Sequence, residues 1–297
     1  MNMKKSKYWR NLLGFSVGML ALGVFYIILR ISFDGAQNYA HPARSQQAPE
    51  DNPAQHGVAY QNIELFTSDG IWLSAWYTSP ENGALILVAH GYGVSRSAEI
   101  HALFARNGYG VLSWDARAHG ESGGDLCTWG VDEVQDVVAA LAFALKQTEV
   151  EHVGAYGQSM GAVVLILAAA EFPQIEALIA DSAFPAIEEM LERLVYVPVL
   201  RPFVRFFAQL ETGLAADELR PLDVVGTISP RPVLFIQGEA DATIPADSVV
   251  RLYMASGEPR ALWTEPGVGH VGMYDAFPYE FERRVIAFFD QYLLGRK

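Results

Sequence analysis

The pentapeptide Gly157-Gln158-Ser159-Met160-Gly161 decides how this chain is read. It follows a short strand-like run, His152 to Tyr156, and opens an apolar helix-like run that reaches Ala170. A serine hydroxyl is a poor nucleophile unless it is held on a sharp turn beside a base. A strand-turn-helix elbow does this: it strains the serine backbone, exposes the hydroxyl and aims a helix N-terminus at developing negative charge. Glycine is needed two residues to either side, because a Cβ there would collide with the neighbouring strand and helix. Ser159 is therefore the candidate nucleophile. The Met160 N–H, at the start of the helix, is a candidate oxyanion donor.

Three further strand ends supply the remaining parts. Val233 to Gln237 reads as a buried strand whose following loop, Gly238-Glu239-Ala240-Asp241, puts Asp241 just past its carboxyl end. Ala261 to Thr264 reads as the next strand, with His270 after it on the Gly-rich loop Gly267-Val268-Gly269. Upstream, Ala84 to Ala89 ends in His90-Gly91-Tyr92-Gly93, where the Tyr92 N–H is the second candidate oxyanion donor. Sites in open α/β sheets form outside the carboxyl ends of the strands. The chain order Ser159, Asp241, His270 then assigns nucleophile, orienting acid and base. Asp275 and Glu265 lie near His270 in sequence but not at the expected strand end. Asp115 and Asp181 fall ahead of or too near the nucleophile, and read as a loop anchor and a cap-hinge residue. No His-x-x-x-His pair, cysteine cluster or dinucleotide fingerprint appears, so neither a metal nor a cofactor is expected.

Between these points strands and helices alternate, the mark of an α/β protein with a parallel sheet. Expected strands are 84–89, 111–115, 152–156, 177–180, 233–237 and 261–264. Expected helices lie near 98–107, 131–147, 160–171, 246–255 and 278–294. Ser68-Asp69-Gly70 joins two earlier strand-like runs in a hairpin. Residues 182–230 break the rhythm with helical patches at 186–195 and 203–212, separated by Pro198 and Pro202. Apolar residues there, including Phe203 and Phe206, either line a substrate groove or pack the cap onto the sheet.

The stretch from about Tyr60 to Leu294 resembles the α/β-hydrolase superfamily, closest to its lysophospholipase/esterase-like, Bem46-like branch with an N-terminal membrane segment. The motifs that carry the likeness are His90-Gly91-Tyr92-Gly93, Asp115-Ala116-Arg117-Ala118-His119-Gly120-Glu121-Ser122, Gly157-Gln158-Ser159-Met160-Gly161, Gly238-Glu239-Ala240-Asp241 and Gly269-His270. Many members carry glycine where this chain has Ala118. The resemblance implies the α/β-hydrolase fold: a mostly parallel sheet, an antiparallel N-terminal hairpin, helices on both faces and a short helical cap. It also implies that His90 shapes the oxyanion loop. The expected activity is hydrolysis of a small-molecule or lipid acyl ester through an acyl-enzyme. A peptidase of aminopeptidase type or a thioesterase would use the same residues. A catalytically silent binding module has no need for Ser159, Asp241, His270 and both elbow glycines together.

The 297 residues carry a net charge of −13, unevenly placed. Five of the 21 cations lie in residues 1–30, which contain no acid, so the rest of the chain meets its 34 acids with 16 cations. Such an acidic body repels nucleic acid, and no nucleic-acid role is expected. Residues 11–29 bear no charge and are long enough, as a helix, to cross a bilayer's hydrocarbon core of about 30 Å. Lys4, Lys5, Lys7 and Arg10 precede this run, so the expectation is residues 1–10 in the cytoplasm, an anchor over 11–31, and the hydrolase domain, 58–297, outside. A cleaved signal peptide is the rival reading, against which stand the length of the apolar run and the lack of a clear A-x-A site. Residues 32–57, with Pro42, Pro49 and Pro53, read as an extended or disordered linker. The single cysteine, Cys127, forms no intramolecular disulfide and reads as a small buried hydrophobe.

Overall fold

A computed structural model describes residues 2–43, 49, 51–214 and 220–296. Among these residues eight strands form one sheet in the order β1-β2-β4-β3-β5-β6-β7-β8. The antiparallel hairpin β1 (Gln61–Phe66) and β2 (Trp72–Thr78) turns at Gly70, whose φ of 87° suits glycine. Strand β2 also runs antiparallel to β4 (Gly110–Trp114). From there β3 (Ala84–Ala89), β5 (His152–Gln158), β6 (Ala177–Asp181), β7 (Val233–Gly238) and β8 (Arg260–Glu265) are all parallel.

Central strands covered on both faces must be apolar on both faces, and β3 is buried throughout. Leu85, Leu87 and Ala89 face a core with α3 (Val134–Ala144) and α4 (Met160–Glu171), while Ala84, Ile86 and Val88 face a second core with α2 (Ala98–Arg106) and α10 (Pro278–Leu293). Gly154 in β5 lets α10 close in, since a Cβ there would stand 2.8 Å from the Phe289 ring and 2.9 Å from Leu293. Helix α8 (Ala246–Ala255) follows β7, and the short α9 (Met273–Ala276) precedes α10.

Between β6 and β7 the cap comprises α5 (Ile187–Leu194), α6 (Arg201–Thr212) and the single turn α7 (Pro221–Val224). The N-terminal segment differs from the linker expected after residue 31. Helix α1 runs unbroken from Asn2 to Ala40, and its last turns lie on α6. Ser32, Ala36 and Ala40, spaced one helical turn apart, are buried. Small side chains admit a close approach, and the ring pairs Phe25–Phe203 and Phe33–Phe207 complete the seam at centroid separations of 6.0 and 5.5 Å. Because that face is Ser and Ala set among Asp34, Gln37 and Asn38, it shows little apolar periodicity. Beyond it, Cys127 N–H donates to the Ala40 carbonyl, and Glu211 binds both Gln37 and His41. Residues 44–48 and 50 of the expected linker lie outside the described residues.

At the carboxyl ends of the strands, β5 meets α4 in a close approach of main chain to main chain. A Cβ on Gly161 would lie 2.3 Å from the Ala89 carbonyl oxygen, and one on Gly157 would lie 2.6 Å from the Gly161 backbone. Both obstacles are main chain, which no rotamer change can relieve. Gly161→Ala should therefore destabilise the domain by more than the roughly 1–3 kcal/mol of an ordinary overpacked core. Gly269→Ala, where a Cβ meets nothing within 4 Å, should change little. Thermal denaturation of the two purified variants checks the contrast.

Candidate active site

Ser159 sits between β5 and α4 with φ 52° and ψ −116°, a strained conformation for a residue with a Cβ. The surrounding backbone enforces it: Ser159 N–H donates to the Asp181 carbonyl at 2.8 Å, while its own carbonyl accepts from Ala162 and Val163. The turn thus projects the hydroxyl out of the sheet at its carboxyl edge.

His270 comes from the loop after β8 and reaches that hydroxyl. Its Nε2 lies 3.0 Å from Ser159 Oγ, and its Nδ1 lies 2.7 Å from Asp241 Oδ2. A carboxylate only accepts, so Nδ1 carries the proton and Nε2 is left to accept from the serine. The Asp241 carboxylate is itself held. Oδ1 accepts from the backbone N–H groups of Thr243 (2.7 Å) and Ile244 (2.8 Å), and Oδ2 also accepts from the Gln237 amide (2.9 Å). The three residues expected from strand order are therefore one hydrogen-bonded chain. Asp275, the rejected alternative, is exposed on α9.

Behind the chain lies a polar layer that sequence alone did not single out. Asp181, last in β6, is fully buried and accepts from the hydroxyls of Ser182 (2.9 Å) and Tyr156 (3.1 Å). Ser182 Oγ also accepts from the Val271 N–H, tying the end of β6 to the loop that carries His270. Burial pushes the Asp181 carboxyl up to about 6, although both hydroxyls and the His270 ring favour its charged form. In sequence Asp181 reads as a cap-hinge residue. Its polar contacts instead support the floor of the site, and they come from the β5–β6 pairing and the loop carrying His270, both hidden in sequence.

The loop after β3 passes against the nucleophile. A Cβ on Gly91 would lie 3.3 Å from Ser159 Cβ, so glycine is needed for the approach. The Met160 N–H opens α4, where no carbonyl of the same helix can accept it. His90 Nδ1 donates to the Gly91 carbonyl at 2.7 Å and its Nε2 accepts from the Ala116 N–H at 2.9 Å. Burial pushes this imidazole down to about 4, so it stays neutral and rigid. Asp115 anchors the adjoining loop through Arg96 and the Glu121 N–H. Ala118, the departure from the family pattern, has φ 61°, which explains why glycine is common there.

Tyr92 is held by its side chain as well. Its ring stacks on Trp129 with centroids 4.2 Å apart, and its hydroxyl donates to the Asn38 carbonyl of α1 at 2.7 Å. Trp129 Nε1 in turn donates to the Tyr39 carbonyl. An apolar cavity of about 60 Å³ lies beneath the cap, bounded by Ala36, Tyr39, Cys127, Trp129, Ile187 and Leu191. Cys127, buried as expected, has its sulfur 3.6 Å from that of Met160, which sets this cavity one side chain from the elbow. Phe203 packs on Phe25 and Phe206 is largely exposed, so the cap phenylalanines serve the α1 seam and the outer surface. Among the described residues no cluster of His, Cys, Asp and Glu could hold a metal ion.

An eight-stranded, mostly parallel sheet with a strained serine elbow at its carboxyl edge defines an α/β hydrolase. Residues 80–221 match the family model described as serine aminopeptidase, S33. An uncharacterized protein of Bacillus subtilis, YqkD, is 33% identical over 217 residues, covering 69% of this chain and 70% of its own. Protein bem46 of Schizosaccharomyces pombe is 27% identical over 270 residues, 84% of each chain. Among solved structures, the Pyrococcus furiosus esterase Pf2001 superposes with a TM-score of 0.73 at 26% identity, covering 86% of this chain and 98% of the esterase. The chain belongs to the α/β-hydrolase family.

The buried Asp181 gives a pH test of the layer behind the site. Its carboxyl ionises higher in the folded state than the ordinary value of 3.8. Between these values the unfolded chain loses a proton that the folded chain keeps, so this group's contribution is full below 3.8 and is lost as pH rises through about 6. Asp181→Asn removes the titration. Its stability relative to wild type should rise by on the order of 3 kcal/mol between pH 4 and pH 8. Denaturant unfolding of both proteins in detergent checks this; a pH-independent difference would show that the carboxyl is not perturbed.

Proposed function

We propose that this chain is a membrane-anchored serine hydrolase that cleaves carboxylic acyl esters through an acyl-enzyme. The observation that carries the reading is the unbroken hydrogen-bond chain from Asp241 through His270 to Ser159, ending at a strained elbow. Ser159 Oγ attacks the ester carbonyl carbon as its proton passes to His270 Nε2, and the imidazolium formed is stabilised by Asp241. Negative charge on the former carbonyl oxygen is met by the Met160 and Tyr92 N–H groups. Collapse breaks the ester C–O bond, and His270 returns the proton to the departing alkoxide. A water then attacks the acyl-enzyme with His270 again as base, releasing the acid and restoring Ser159.

The ester reading draws support from the likeness to the Pyrococcus esterase and from the apolar cavity beside Met160, which suits an acyl group at about 0.8 kcal/mol per buried methylene. The peptidase reading draws support from the description of the matching family model. Acyl-chain-length nitrophenyl esters and peptide amides, assayed side by side, separate the two. Anchoring is supported by the apolar part of α1, with a mean hydropathy of 2.4, and by a relative in Saccharomyces cerevisiae called an uncharacterized membrane protein, YNL320W. In this reading residues 1–10 are cytoplasmic, 11–31 form the anchor, and the hydrolase domain from 58 onward, with its cap over 182–230, stands outside.

Ser159→Ala should abolish ester hydrolysis and labelling by a fluorophosphonate probe while leaving the fold intact; wild-type labelling of the variant would refute the assignment. Asp241→Asn should lower turnover by about 10⁴-fold, because it favours the wrong His270 tautomer, whereas Asp275→Asn should change it little. Reversed results would move the acid to Asp275.

For topology, protease added to spheroplasts of a bacterial host should reach the catalytic domain and leave the N-terminal lysines protected. Full protection of the domain would reverse the orientation.

A further inference from the structure

Helix α6 lies along α1 with its N-terminal end toward the N-terminal end of α1. Phe203 meets Phe25, Phe207 meets Phe33, and Glu211 binds Gln37 and His41. The cap's height relative to a bilayer crossed by α1 is therefore fixed by packing. The first charge after the apolar run is Arg30, and it marks the outer edge of the hydrocarbon. Phe25 lies five residues before it, about 7.5 Å deeper along the helix axis. The Phe203 ring shares the level of Phe25. The turn Pro198–Leu200, which leads into α6, also packs on α1.

The residues at that level have the chemistry of a membrane surface. Tyr196 is 90% exposed, Val197 50% and Val199 57%, in the consecutive run Tyr196-Val197-Pro198-Val199-Leu200. In water such a run is an unexplained apolar patch. Residues 195–210 also contain no acid, in a chain with 34 acids, yet hold Arg201 and Arg205, one turn apart near the start of α6. An exposed apolar turn followed directly in the chain by Arg201 and Arg205, with no acid nearby, suits a surface that offers both acyl chains and lipid phosphates.

We infer that the cap is a membrane-embedded element: the turn Tyr196–Leu200 and the first turn of α6 are inserted into the outer boundary of the bilayer that α1 crosses. The inference rests on the proposed anchoring by α1. It specifies the substrate as a bilayer-resident amphiphilic ester, drawn from the membrane beside the cap. A groove of about 580 Å³ lined by Tyr196, Arg193, Arg201, Ala242 and Thr243 connects the inserted turn to the loop that carries Asp241.

The test uses the full chain in phosphatidylcholine/phosphatidylglycerol vesicles, with nitroxide labels on cysteines placed singly at Leu20, Tyr196 and Tyr279, in a Cys127→Ala background. Relaxation by oxygen against a water-soluble nickel chelate reads depth. The expected result is a Leu20 label in hydrocarbon, a Tyr196 label at the boundary with oxygen favoured, and a Tyr279 label, on the exposed face of α10, in water. A buried Leu20 label with a Tyr196 label as nickel-accessible as that at Tyr279 overturns the inference and leaves the anchor standing. A nickel-accessible Leu20 label overturns both. As an independent arm, Val197→Glu combined with Val199→Asp should lower turnover of a vesicle-embedded long-chain ester about tenfold, equivalent to about 1.4 kcal/mol. Turnover of a short water-soluble ester should be unchanged. Equal effects on the two substrates, including no effect on either, would overturn it.

Discussion

The architecture depends on one close approach of main chain to main chain, where α4 leaves β5 and passes the end of β3. Gly161 brings the first turn of α4 against the carbonyls of Ala89 and His90, and Gly157 keeps β5 clear of that turn. Any side chain at either position would push α4 off the sheet. With both absent, the Ser159 backbone is forced into a positive φ, and the loop His90-Gly91-Tyr92 is laid beside the serine. Nucleophile, helix N-terminus and the adjoining loop are thus consequences of a single packing constraint. The strain at Ser159 is sustained by the two large cores on either side of the sheet.

The rest of the site is built by supporting polar contacts. Gln237 and two backbone amides hold Asp241, which holds His270, which meets Ser159. Asp181, Ser182 and Tyr156 form a buried layer beneath, joined to Val271 beside His270. On the other side His90 is kept neutral by burial, and its two ring nitrogens bond the Gly91 carbonyl and the Ala116 N–H. Each group is oriented by a neighbour that is itself satisfied. Such an arrangement costs little reorganisation when charge develops.

The N-terminal helix is part of this construction. Its last turns give carbonyls to Tyr92, Trp129 and Cys127, and side chains to Glu211. His41, just past its end, extends the contact. Its ring bonds the Asp125 carbonyl and Glu211, and the Glu211 carboxylate beside it raises its affinity for a proton. The helix whose first part is proposed to cross the membrane touches, at Asn38, the loop proposed to stabilise the oxyanion.

From sequence alone, the strand order of the motifs, the glycine-flanked elbow and the alternation of apolar runs were sufficient for the fold class. They also selected Ser159, Asp241 and His270 from all the serines, acids and histidines of the chain. These features are local: a period of two or 3.6 residues, a turn that tolerates only glycine, a polar residue just past a buried strand. The roles of Gln237, Asp181 and the end of α1 were not legible, because each depends on a partner far away in the chain. Gln237 looks like an ordinary strand residue until β7 is set beside the loop holding Asp241. Ser32, Ala36 and Ala40 look like linker until α6 lies against them, since small side chains give no hydrophobic signal and work only through the close approach they allow. Tertiary packing alone decided those contacts.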